Sequence, residues 1–135
     1  DGISDPGNLG TIIRTMDWFG YHQLICSEDC ADFYNPKTVA SSMGSFGRVI
    51  PYYTDLAAFV GDSNQPTYGL VLGGNSIHEE KLANGIYIMG SESHGIRNSI
   101  RSLIQKGLTI PKYGQAESLN VSMATGILLH TLRNP

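Results

Sequence analysis

Two polar clusters and one arginine carry most of the chemistry open to this 135-residue chain. Glu117-Ser118-Leu119-Asn120 stands between an apolar run that stops at a proline, Leu108-Thr109-Ile110-Pro111, and a helical pattern. In that pattern Val121, Ala124, Leu128 and Leu132 share one face, with Ile127 beside them. The first backbone N–H groups of such a helix lack partners within it, and loops at a strand-to-helix junction can wrap a small molecule. Ser118 or Asn120 alone reads as an N-cap. That reading leaves Glu117 and the second of the two unexplained. Gly90-Ser91-Glu92-Ser93-His94-Gly95 is a second polar turn, of the form G-x-E-x-x-G. It lacks the central glycine of a dinucleotide fingerprint, and nowhere does the chain carry the G-K-[ST] of a P-loop. Taken alone it is a tight turn with a polar tip. Arg14 lies in the apolar stretch Asn8-Leu9-Gly10-Thr11-Ile12-Ile13-Arg14. Its side chain either snorkels or pairs with a carboxylate, or its planar fork holds a phosphate or an activated oxygen.

His22, Cys26 and Cys30 recur at intervals of four. A tetrahedral metal site needs a fourth ligand and commonly a closer cysteine pair. Cys26 lies in an apolar run, where a reduced buried thiol is ordinary, and no metal is assigned.

The elements that must position these groups alternate along the chain. Residues 1–10 read as a turn-rich entry centred on Asp5-Pro6-Gly7-Asn8, followed by a helix over 10–20 with Ile12, Ile13, Met16 and Phe19 on one face and Gly20 closing it. A short strand follows at 23–26, a helix at 37–43, a strand at Arg48-Val49-Ile50 and a helix at 55–60. Tyr68-Gly69-Leu70-Val71-Leu72 and Ile86-Tyr87-Ile88-Met89 are continuous apolar runs, as expected of strands buried on both faces. Ile100, Leu103 and Ile104 mark a helix, and residues 108–110 the last strand. Strands alternating with helices predict one α/β domain over 1–135, built on a mostly parallel sheet with helices on both faces. In such a sheet Leu72-Gly73, Gly90 and Ile110 fall at carboxyl ends on one edge, where glycines let the backbone approach a ligand.

Bulk properties narrow the classes. The formal net charge is -3 with nine Lys and Arg residues, which argues against gripping nucleic acid by charge alone. No apolar run approaches membrane-spanning length and no signal peptide is visible, so the expectation is a cytoplasmic protein without membrane contact. The chain opens at Asp1 without methionine and reads as a fragment of something longer.

Three stretches together carry a resemblance. Asn8-x-Gly10-x-x-x-Arg14, Gly90-x-Glu92-x-x-Gly95, and Ile110-Pro111 leading to Glu117-Ser118-Leu119-Asn120-Val121-Ser122-x-Ala124 resemble, in order, the signature motifs of the SpoU (TrmH) family of RNA ribose 2′-O-methyltransferases. The resemblance implies a C-terminal trefoil knot, S-adenosylmethionine as cofactor, a homodimer, and tRNA or rRNA as substrate, with an upstream RNA-binding domain absent from this stretch. It implies a cofactor site at Leu72, Gly73, Gly90, Ile110, Ser118, Leu119 and Asn120. It makes Arg14 the catalytic arginine, supported by Asn8, Glu92, Ser118 and Asn120. Lys112 stands where an apolar residue is common, and Ser93-His94 replaces a more glycine-rich turn. The competing reading is a non-catalytic RNA-binding or cofactor-sensing module of the same fold. A guanidinium stays protonated in ordinary settings, so Arg14 is expected to orient a phosphate and stabilise a developing alkoxide rather than act as a base.

Overall fold

In a computed structural model that describes residues 1–134, the chain starts its first helix four residues earlier than the periodicity suggests. Helix α1 spans Pro6–Trp18. Asp5 caps it by accepting the Asn8 N–H at 2.8 Å, and Pro6 takes the first helical position, where its missing N–H costs nothing. The Asp5-Pro6-Gly7-Asn8 stretch is therefore a helix start and not the centre of a turn. Leu9, Ile12, Ile13 and Met16 are buried along α1. A Cβ at Gly10 would overlap the Thr38 carbonyl and lie 2.6 Å from the Ser41 Cβ, so α1 and the next helix approach closely only because Gly10 has no side chain.

Strand β1 (Leu24–Ser27) pairs in parallel with β2 (Pro51–Thr54), and helix α2 (Pro36–Ser42) connects them. The strand expected at Arg48-Val49-Ile50 lies downstream. Ser45–Gly47 forms a 3₁₀ turn, Val49 is fully buried in the core, and Pro51 opens the strand, a position where proline forfeits no interior ladder bond. Helix α3 (Leu56–Gly61) is capped by Asp55, which accepts the Ala57 and Ala58 N–H groups.

The second sheet has the order β4-β3-β5, with every pairing parallel. Its strands are β3 (Thr67–Ser76), β4 (Ile86–Ile88) and β5 (Lys106–Thr109). The expected single sheet is thus two by hydrogen bonding, β1-β2 and β4-β3-β5. Side chains join them: Ile25 of β1 packs into the cluster that holds Ile88 of β4. Strand β3 runs past Leu72, where it was expected to stop, but its register breaks between Leu70 and Asn75. Leu108 faces both of those residues, so 71–74 form an excursion from the ladder. Gly73 adopts φ 79°, and a Cβ on Gly74 would sit 2.6 Å from the Gly107 carbonyl carbon.

The helix expected around Ile100 is one turn, α4 (Asn98–Arg101), with Ile100 buried and Leu103 and Ile104 following it outside the helix. Helix α5 (Val121–Arg133) binds the core together. Its Val121 and Leu129 join the cluster of Leu9, Ile13 and Val49, while Leu128 joins Tyr68, Ile77 and Leu108. Full burial of each such side chain contributes about 1.5–3 kcal/mol. Among the described residues no helix is long and apolar enough to cross a membrane.

Candidate active site

The β3 excursion, the turn after β4 and the loop after β5 enclose one cleft of about 540 Å³. Its volume suits a small-molecule ligand. Leu72, Gly90 and Ile110, expected there as strand-end positions, line it, and so do Ser118 and Leu119, which the resemblance implied. Gly73 is not on the wall; it makes the left-handed turn beside Leu72, which is 76% exposed. Asn120 is not on the wall either, but it caps α5 at the cleft's edge by accepting the Ser122 N–H at 2.9 Å. Ile96 and Thr109 also line the cleft without having been marked as site residues from sequence, as do Arg101 and Ala124.

Gly90 shapes one wall. The Ser91 N–H donates to the Gly95 carbonyl at 3.1 Å and the Gly95 N–H returns to the Ser91 carbonyl at 2.9 Å, closing the turn on itself. Gly95 completes it at φ 66°. A Cβ at Gly90 would overlap the Gly95 and Ile96 backbone, so the absence of a side chain there is a steric requirement. Glu92 stands at the tip of this turn. His94, also in the turn, is exposed and pairs through Nδ1 with the Ser93 hydroxyl at 2.7 Å.

Asn8, Glu92 and Asn120, drawn from three distant parts of the chain, meet at the cleft's edge. Asn120 Nδ2 donates to Glu92 Oε1 at 2.7 Å and lies 3.0 Å from Asn8 Oδ1. Asn8 Nδ2 donates to the same Glu92 oxygen at 3.3 Å, and the Val121 N–H reaches it at 3.4 Å. Ser122, 6% exposed, donates its hydroxyl to Asn8 Oδ1 at 3.0 Å. Sequence reasoning gave Ser122 no role. The available signal was its place two residues after the cap Asn120, in the first turn of a helix whose buried face it shares.

Arg14 stands apart. It is exposed on α1, absent from the cleft wall, and has no hydrogen-bond or ion-pair partner among the described residues. Arg48, Arg97, Arg101 and Lys106 do not gather into a basic patch. Arg48 pairs with Asp17 at 2.7 Å, Arg97 bridges Asp1 and Asp29, and Lys106 pairs with Glu80 at 2.6 Å. Among the described residues Arg101 alone of the four has no such partner, and it lines the cleft together with Lys112. The Arg48 guanidinium, and next the Ser45 hydroxyl, hold the Asp17 carboxyl below its ordinary range. The Asn8 N–H, followed by Lys37, does the same for Asp5. Cys26 and Cys30 are both free and buried, and Cys30 Sγ accepts the Ile3 N–H at 3.3 Å.

Chemically, the cleft offers apolar faces at Leu72, Ile110 and Leu119, abundant main chain, and the hydrogen-bonded carboxylate of Glu92. A flat, partly polar ligand bearing positive charge fits that set. A profile of the SpoU rRNA Methylase family matches residues 1–130, and the chain belongs to that family. The chain is 34% identical to the 23S rRNA (guanosine(2553)-2′-O)-methyltransferase RlmP of Bacillus subtilis, over 98% of its own length and 56% of that relative. It therefore spans little more than half of such proteins. A TrmH-family protein from Porphyromonas gingivalis superposes with a TM-score of 0.90 at 40% identity, covering 99% of this chain and 57% of that one. The SpoU methyltransferase AviRb from Streptomyces viridochromogenes, in complex with AdoMet, gives 0.84 at 28% identity, covering 97% and 56%.

Proposed function

We propose that this chain is the catalytic domain of an RNA methyltransferase that carries a methyl group from S-adenosylmethionine to a ribose 2′-hydroxyl of tRNA or rRNA. The observation that carries this reading is the cleft between the β3 excursion and the loops after β4 and β5, edged by Asn8, Glu92 and Asn120 and walled by Leu72, Gly90, Ile110, Ser118 and Leu119. Family membership and the AdoMet complex of AviRb support it. The residues present suit the cofactor. Gly90 leaves room where any Cβ would collide, the apolar walls suit an adenine ring, and the carboxylate of Glu92 suits a positively charged sulfur.

The cofactor, when bound, supplies an electrophilic methyl group. The chain's own part is alignment and charge. Ser118, Leu119 and the backbone at Gly90 and Ile110 hold the ligand in place, and fixing two reactants this way contributes on the order of 7–11 kcal/mol in favourable cases. Arg14 grips the phosphate beside the target ribose and stabilises charge growing on the 2′-oxygen; the proton leaves to a phosphate oxygen or to water. Because Arg14 is away from the cleft wall of its own chain, a homodimer is the arrangement in which α1 and the cleft of two copies complete one site. We further read the stretch from 110 to α5 as passing through a trefoil knot, the protein as cytoplasmic, and target choice as lying in a region upstream of this domain.

The test is to incubate the full-length protein with ribosomal and transfer RNA and methyl-labelled cofactor, then map ribose methylation. Label at a 2′-oxygen in either RNA supports the assignment. Cofactor binding with no transfer to any RNA supports the non-catalytic module instead.

A further inference from the structure

We infer that Glu92 is the fixed counter-charge by which this cleft prefers a cationic sulfonium cofactor to its neutral thioether product, an inference that rests on the function proposed above. The argument starts with geometry. One oxygen of Glu92, Oε1, takes the Asn120 amide at 2.7 Å, the Asn8 amide at 3.3 Å and the Val121 N–H at 3.4 Å. The other, Oε2, has no partner among the described residues, although Glu92 lines the cleft. The carboxylate is therefore held by one oxygen and free to face a ligand with the other.

Electrostatics supplies the second part. Each 13-residue helix, α1 and α5, carries roughly half a positive charge at its N-terminus. At α1 the capping carboxylate of Asp5 is itself paired with Lys37 at 3.1 Å. At α5 the cap is the neutral Asn120, and no acidic residue lies in the first turn. Glu92 is the anion hydrogen-bonded at both helix starts. Arg101, Lys112 and His94 add positive or titratable groups to the same wall. Without the Glu92 charge the edge of the cleft is positive and repels a sulfonium, while a neutral thioether of the same shape is indifferent to it.

Glu117 is the natural comparison. It lines the cleft too and is exposed, as Glu92 is, but it makes no hydrogen bond among the described residues and so has no set position relative to a ligand. A fixed charge discriminates between ligands; a mobile one is largely screened.

The experiment measures binding by calorimetry, using the full-length protein with S-adenosylmethionine and with S-adenosylhomocysteine. Glu92→Gln keeps an acceptor oxygen for the three donors and removes only the charge. The expected result is a roughly fivefold or larger fall in the affinity ratio of the cationic to the neutral ligand. Glu117→Gln is expected to leave the ratio unchanged. A constant ratio in Glu92→Gln, or an equal fall in Glu117→Gln, overturns the inference while leaving the proposed function standing. Should Glu92→Gln fail to fold, the ratio is followed in the unaltered protein as salt rises. A salt-independent ratio overturns the inference; a ratio that declines equally in the parent and in Glu117→Gln supports it, and one that no longer declines in Glu117→Gln overturns it. If the unaltered protein binds neither ligand, the proposed function falls, and this inference with it.

Discussion

Asn120 and Asn8, separated by 112 positions in the chain, lie 3.0 Å apart, amide nitrogen to amide oxygen. The contact ties the start of α5 to the start of α1, and both amides converge on Glu92. Asn120 also accepts the Ser122 and Met123 N–H groups, so one side chain caps a helix and fixes the edge of the cleft.

Replacing Asn120 with Ala removes both functions. The lost cap costs about 1 kcal/mol, read as a fall of roughly 4 °C in the thermal midpoint. Cofactor affinity falls as well, because Glu92 loses its shortest donor. Unchanged affinity in calorimetry would remove Asn120 from the site.

Arg14→Ala is expected to behave in the opposite way. The side chain is exposed and touches no partner among the described residues, so stability stays within about 0.5 kcal/mol. Cofactor affinity is retained, whereas methyl transfer drops by roughly 100-fold or more. A parallel loss of cofactor binding would contradict the role given to Arg14.

Gly90→Ala places a methyl group in the Gly95 and Ile96 backbone. The closed turn must open, at a cost of roughly 1–3 kcal/mol, and cofactor binding is lost. Gly114→Ala is the control, since an added Cβ there meets nothing within 4 Å. Denaturation and calorimetry on the pair separate a steric requirement from a general intolerance of change in these loops.

Asp17 gives a pH dependence. Arg48 first and Ser45 second hold its carboxyl below the ordinary 3.8, so the folded state binds this proton less readily than the unfolded chain. The stabilisation is complete above about pH 4 and is lost as pH falls through the folded value. Asp17→Asn is therefore less stable than the parent at pH 7, and the two converge in more acidic solution. Urea denaturation at a series of pH values reads the difference directly.

Much of the cleft was legible because its parts have local signatures. Apolar runs ending in glycine or proline mark strand ends, and strand ends of parallel sheets share an edge, which places Leu72, Gly90 and Ile110 together. Helix α5 was legible for the same reason: its apolar face repeats at the helical period. What periodicity hides is the start of α1, decided by the cap Asp5 and by Pro6, residues that also signal turns. The break in β3 is equally hidden, because the double pairing of Leu108 depends on a strand far along the chain. The meeting of Asn8, Glu92, Asn120 and Ser122 is a tertiary fact. Their motifs suggest that each matters, but only folding shows them bonded to one another. The ion pairs that take up Arg48, Arg97 and Lys106 are tertiary in the same way.

Helix α5 belongs to two apolar clusters and supplies one edge of the cleft, and this bears on how the protein is made in a cell. Synthesis reaches α5 last of these elements, so a nascent chain halted before Gly114 has Ile13 and Leu108 without their α5 cover and Glu92 without its shortest donor. The Ser118 and Leu119 wall of the cleft is missing as well, so the cleft is complete only once the segment that also closes both apolar clusters has been made.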